Sequence, residues 1–158
     1  MKRISAIITL LFLTAIVTAC GGVLTSEHPV KQTYLLEPTS VDISDRADDL
    51  WPALELSVTA VPGLDTDHIQ ALSTDASLKH YANARWADYL PEVLASVLRR
   101  SLASTERFEA VRATPAPTGD GWSLTMEVQK FFGVRDYAGK TTSVAAEFEG
   151  ILDCMEQV

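Results

Sequence analysis

The residues with the most obvious chemical potential are Asp65-Thr66-Asp67-His68, two carboxylates and an imidazole in one short stretch. A calcium loop would need more acidic positions, a glycine and a distal bidentate glutamate, and the sequence lacks that pattern. A zinc site would need further ligands from His28 or His80, and neither stands at a usual spacing. Capping of a turn and a helix by the two aspartates is the simpler reading, so no metal ligand is assigned. Glu106/Glu109 and Glu147/Glu149 are paired carboxylates of the kind used in general acid–base catalysis, but on so acidic a chain they read as solvated surface. No G-x-S-x-G, H-E-x-x-H, P-loop or dinucleotide glycine pattern occurs. The sequence makes no positive case for an enzyme, a catalytic residue or a cofactor.

A different chemistry stands at Tyr81-Ala82-Asn83-Ala84-Arg85-Trp86. Tyrosine, arginine and tryptophan are the side chains enriched at binding hot spots. With the nearby turn they give a candidate partner-binding set of Leu64, Asp65, Tyr81, Arg85 and Trp86. The competing reading is structural: Trp86 fills core, Tyr81 closes over it, and Arg85 meets a carboxylate such as Asp88.

The remaining chemistry is at Cys20. The chain opens on basic Lys2 and Arg3, followed by a nearly unbroken apolar run from Ile4 to Val17. Fourteen helical residues reach only about 21 Å, short of a ~30 Å hydrocarbon core. A basic start, a short apolar stretch and small residues predict a secretory signal over 1–19. Val17-Thr18-Ala19-Cys20 resembles the bacterial lipobox, which implies cleavage between Ala19 and Cys20 and acylation of Cys20. Gly21, rather than aspartate, points to the periplasmic side of the outer membrane. Residues 20–31 then serve as a lipidated leash, and 32–158 as one periplasmic domain. Cys154 is left as a lone thiol, a small apolar residue near a strand end or a site of intermolecular pairing.

Length and charge set the frame around these residues. The chain has 158 residues, room for one ordinary domain, with 47% hydrophobic and 22% charged residues. Without Lys2 and Arg3, 11 basic residues face 21 acidic ones. That balance argues against nucleic acid as a partner.

Thr33–Leu36 predicts a first strand, and 39–51 an acidic loop. Leu54, Leu56, Val58 and Ala60 alternate in a half-buried strand over 54–61, ended by Pro62-Gly63. Residues 64–81 predict a hairpin, with a short helix at 66–72 as the competitor. Trp86, Leu90, Val93, Leu94, Val97, Leu98 and Leu102 form a helical stripe, with Asp88 at the cap and Pro91 in the first turn. Phe108–Val111 predicts a short strand. Trp122, Leu124, Met126 and Val128 mark the inward face of a strand whose phase breaks at Phe131-Phe132, as a bulge or an exit. A turn at 136–140 leads to a partner strand over 142–152. The fold class is α/β: a mixed β-sheet with one main helix packed on it.

Several of these segments occur together, and in this order, in a known family. They are Tyr34-Leu35-Leu36-Glu37-Pro38, Val61-Pro62-Gly63-Leu64-Asp65-Thr66-Asp67-His68-Ile69, the stretch from Tyr81 to Pro91, and Phe108–Val111. The chain resembles the ABC-type transport auxiliary lipoprotein family, PqiC-like proteins, although His68 stands where the family usually has arginine. The resemblance implies a fold similar to the TolB N-terminal domain. It also implies work beside an ABC permease and ATPase and an MCE-domain protein in intermembrane lipid transport, with no activity of the chain's own. A homo-oligomer would suit multimeric partners. Family members generally continue through another strand and a C-terminal helix, so at Val158 this helix is expected to be absent or truncated, leaving part of the sheet face bare and apolar. Two functions follow for comparison: an adaptor acting through a protein-binding face, and a lipid carrier with an apolar cleft. A lipid-anchored hydrolase is the remote third.

Overall fold

The computed structural model describes residues 31–38, 50–116 and 121–155. Ala19, Cys20 and the expected signal and leash up to residue 30 lie outside the described residues, as do residues 39–49 of the acidic loop. The elements are β1 (Gln32–Tyr34), β2 (Leu54–Ala60), β3 (His68–Leu72), β4 (Leu78–Trp86), α1 (Leu90–Ala103), β5 (Val111–Ala113), β6 (Gly121–Arg135) and β7 (Thr141–Met155). All seven strands join one mixed sheet, and α1 is the only helix among the described residues. This is the predicted α/β class.

β6 organises the sheet. Along one edge it pairs antiparallel with β7 over nearly its whole length. Its other edge is shared: β2 runs parallel to the first half, from Leu54 opposite Trp122 to Ala60 opposite Val128, and β3 runs parallel to the second, with Ala71 opposite Gly133. β4 then adds antiparallel to β3, β1 parallel to β4, and β5 parallel to the outer edge of β2.

β2 and β3 therefore lie end to end along β6, separated by the predicted Pro62-Gly63 turn. Gly63 has φ of +96°, a conformation that a side chain would strain. The Val61 N–H donates to the Val128 carbonyl at 3.1 Å, and the Leu64 N–H to the Val61 carbonyl at 3.0 Å. This turn drives Leu64 inward, where it clusters with Leu90, Leu94 and Val128. It also sets the helix entry, because the Leu90 N–H donates to the Thr66 carbonyl at 3.0 Å.

Period-two patterning explains the sheet face beneath the helix. Leu54 and Leu56 are buried, and their face continues through Val58 and Ala60. Across the ladder stand Trp122, Leu124, Met126 and Val128. α1 lays Leu90, Val93, Leu94 and Ala95 over the β2–β5 half of this face. Each fully buried leucine or valine contributes about 1.5–3 kcal/mol. The β7 half is left uncovered: Val144, Phe148 and Leu152 share the core-side face yet are exposed.

The structure corrects several boundaries. Trp86 is the last residue of β4 and not part of the helix; its spacing to Leu90 mimics a helical turn. Tyr89 occupies the N-cap without a side-chain cap, while Asp88 accepts the Tyr89 N–H at 2.8 Å, one position too early to cap. The short strand after the helix is 111–113, and Phe108 makes only an isolated bridge with Trp51. Gln129 is the bulged residue of β6, passed over between the Val128 and Lys130 pairs, and the strand continues to Arg135 instead of leaving at Phe131-Phe132. The predicted hairpin at 64–81 is β3–β4, extending to Trp86, and no helix forms at 66–72.

Candidate functional site

An irregularity in β4 builds the site. Gln70 pairs with His80, but His68 pairs with Arg85, so β4 carries extra residues between the two pairs. Regular alternation would put Tyr81 and Trp86 on opposite faces. The bulged segment instead lets Tyr81, Ala84 and Trp86 line the same cleft. Phe131, Phe132 and Gly133 of β6 also line it, together with Ile69 of β3 and Val144 of β7. Tyr34 and Leu36 wall it from the β1 side. The Arg100 Nη2 donates to the Leu36 carbonyl at 3.1 Å, tying that wall to the helix.

The cleft has a volume of about 440 Å³ and a predominantly apolar lining. The Trp86 and Phe131 rings are 5.8 Å apart, and Phe131 and Phe148 6.2 Å, so an aromatic series runs from the cleft to the uncovered β7 face. At the other end the Tyr81 hydroxyl hydrogen-bonds the Thr141 hydroxyl, and the Arg135 guanidinium lies 4.4 Å from the Tyr81 ring centroid.

Gly133 makes this arrangement possible. A Cβ there would stand 2.8 Å from the Tyr81 hydroxyl oxygen and 3.1 Å from Thr141 Cγ2. Gly133→Ala is expected to push Tyr81 off Thr141, costing about 1–3 kcal/mol through overpacking and the lost hydrogen bond. Urea unfolding checks this, and the cost should shrink when Tyr81→Phe removes the clashing oxygen. An identical cost in both backgrounds would show that Tyr81 is not what Gly133 accommodates.

The five candidate partner-binding residues do not form one patch. Leu64, at 2% exposure, is core and cannot present a surface. Asp65 is exposed in the turn. Arg85 lies 3.9 Å from Asp67 and donates to the Thr33 hydroxyl, not to Asp88. Tyr81 and Trp86 alone are brought together, in the cleft. Sequence reading missed Ile69, Phe132, Gly133 and Val144 as cleft residues; the Phe131-Phe132 phase break was the one signal nearby.

The Asp65–His68 stretch serves the turn. His68 Nδ1 lies 3.0 Å from both Thr66 Oγ1 and Asp67 Oδ1, and the Trp86 N–H donates to the Asp67 carbonyl at 2.7 Å. Among the described residues, no group of three or more histidines, cysteines or carboxylates is placed to hold a metal. Glu147 pairs with Lys130 at 2.5 Å, and Gln129 donates to Glu149 at 3.4 Å, so this carboxylate pair is engaged along the sheet surface.

The family model for the ABC-type transport auxiliary lipoprotein component matches residues 34–150. The chain belongs to this family. Membership makes it a lipoprotein-type component associated with ABC transport. The match takes in the whole cleft, from Tyr34 to Val144. No curated protein matches the chain. Among solved structures, the chain is similar to protein XCC0632 from Xanthomonas campestris, assigned to the family DUF330. The TM-score is 0.57 at 14% identity, over 80% of this chain and 81% of that one. A second crystal structure, of a protein described only as uncharacterized, gives a TM-score of 0.50 at 16% identity, over 82% and 83% of the two chains. At these identities the likeness concerns the fold.

Proposed function

We propose that this chain is a lipid-anchored adaptor on the periplasmic side of the outer membrane, serving an ABC permease and ATPase together with an MCE-domain protein. Family membership over residues 34–150 carries the reading. Residues 1–19 act as the signal peptide, 20–31 as the leash from acylated Cys20, and 32–158 as the working domain. Such a component needs no catalysis of its own. A tether raises the effective concentration of its domain near a partner, so individually weak contacts suffice. Asp65 and Arg85, exposed on the β3–β4 side, and the uncovered β7 strand are the surfaces available to that partner. Crosslinking in whole cells followed by purification of the lipoprotein is expected to recover an MCE-domain protein. Recovery of the lipoprotein alone, under crosslinking that captures other known envelope complexes, would count against the adaptor.

The cleft favours a second reading, a domain that itself holds lipid. Its volume lies in the range of small-molecule sites, and aromatic and aliphatic side chains dominate its lining. Both roles fit one molecule, since the cleft and the surface at Asp65 and Arg85 use different residues.

A further inference from the structure

The cleft has two chemically different ends. Leu36, Trp86 and Phe131 pack against the buried core and make one end apolar. Tyr81 and Thr141 make the other end polar through their hydroxyls. Arg135 does not line the cleft but adjoins this end: it follows Gly133 by two positions in β6, pairs with Thr141 across the ladder, and stacks on Tyr81, and all three of those residues line it. Its Nε is buried without a hydrogen-bond partner, and no ion pair engages it among the described residues. A buried donor without an acceptor is costly, and structures rarely tolerate one without a reason. On a chain of net charge −8, this cation adjoins an apolar cleft and makes no ion pair with a described carboxylate, its chain neighbour Asp136 included.

An apolar cleft whose polar end adjoins a guanidinium with no carboxylate partner among the described residues fits an anionic amphiphile. The tail replaces water along Ile69, Trp86, Phe131 and Val144, and the head meets the guanidinium of the partly exposed Arg135. The planar guanidinium donates two parallel hydrogen bonds to phosphate oxygens, which an ammonium does not match. We propose that the cleft binds one acyl chain of a phospholipid, with the lipid phosphate held by Arg135 beside Tyr81. This rests on the second reading above, that the cleft takes lipid, and adds which lipid group is recognised and by what.

The test uses the full-length chain in cells grown with radioactive phosphate, carrying a photo-crosslinking side chain at Val144, on the rim of the cleft. A control carries it at Tyr137, 96% exposed in the β6–β7 turn. Phosphorus label with a lipid mass increment is expected at Val144 and not at Tyr137. Arg135→Glu is expected to reduce the label roughly tenfold or more, the loss of a charge-assisted contact. Arg135→Gln, which keeps much of the side chain's length while removing its charge, provides the same comparison if the glutamate variant unfolds. Label at Val144 that is indifferent to both substitutions would overturn the role of Arg135 while leaving the lipid cleft standing. An adduct of fatty acid without phosphorus would overturn the phosphate assignment. Equal label at Val144 and Tyr137 would mean bilayer contact only, and no lipid at Val144 would remove the lipid-cleft reading itself.

Discussion

Val128→Asp is expected to leave the domain unfolded at neutral pH. Val128 is 0% exposed and shares one core cluster with Leu64, Leu90 and Leu94, where the turn, the helix and the sheet meet. Losing its burial removes about 1.5–3 kcal/mol. Aspartate then adds a carboxyl group with no partner in an apolar pocket, several kcal/mol more whether it stays charged or takes up a proton. Together these reach the whole stability of an ordinary domain, about 5–15 kcal/mol. Val128→Ala makes the milder comparison, keeping the site apolar and losing about 1–3 kcal/mol. Thr125→Asp is the control on the same strand: Thr125 is exposed, on the face away from the helix, and the change should cost only about 1 kcal/mol, the span of strand propensity. Circular dichroism and urea titration of the three variants check the order. A cooperatively folded Val128→Asp chain would show that the cluster around Leu64 is not the centre of the core.

Much of this architecture was legible because it is local. The β6–β7 hairpin announces itself through alternation on both arms, and α1 through the Leu90, Val93, Leu94, Val97 and Leu98 spacing. Trp86 reads as helical in the sequence because a strand end four positions before the first helical residue can satisfy the helical period by coincidence. Its true place is decided by two long-range facts, the parallel pairing of β1 with β4 and the Trp86 N–H donated to the Asp67 carbonyl. The shared edge of β6 was hidden for the same reason. Nothing local to β2 or β3 says that both must run parallel to one later strand.

The cleft was less legible than the core. Its lining comes from β1, β3, β4, β6 and β7 and from the segment after β1, and the residues carry no motif that would group them. The β4 irregularity also breaks the one rule that might have helped, since alternation assigns Tyr81 and Trp86 to opposite faces. Side-chain type alone marks Tyr81 and Trp86 in the sequence, and those two are the ones that meet in the cleft. Leu64 entered the same set through proximity in the turn, yet its apolar side chain in a Pro-Gly turn belongs inside, as its burial shows. Arg135 carries no signal in the sequence because a single arginine near a strand end is ordinary; only its buried Nε and its stacking on Tyr81 distinguish it.

On the proposed anchoring through Cys20, Cys20→Ala is expected to remove the protein from the outer-membrane fraction altogether. Acyl chains hold a protein through burial of about 0.8 kcal/mol per methylene, so one chain binds marginally and two or more bind stably. In that proposal the thioether then has no site, and the lipobox-like stretch Val17–Cys20 no longer directs cleavage before residue 20. The variant should carry residues 1–19 and no lipid mass. Its apolar run of about 21 Å is too short to span a bilayer securely, so what remains membrane-bound should fractionate with the inner membrane. The folded domain should be indifferent to the change, because among the described residues the sheet begins at Gln32 and the core draws on none before Leu36. Intact-protein mass spectrometry, density-gradient fractionation and a melting curve read the three outcomes separately. A variant still in the outer membrane without lipid would mean that the domain holds the membrane by its own surface. The exposed Val144, Phe148, Ile151 and Leu152 of β7 would then be the first place to look.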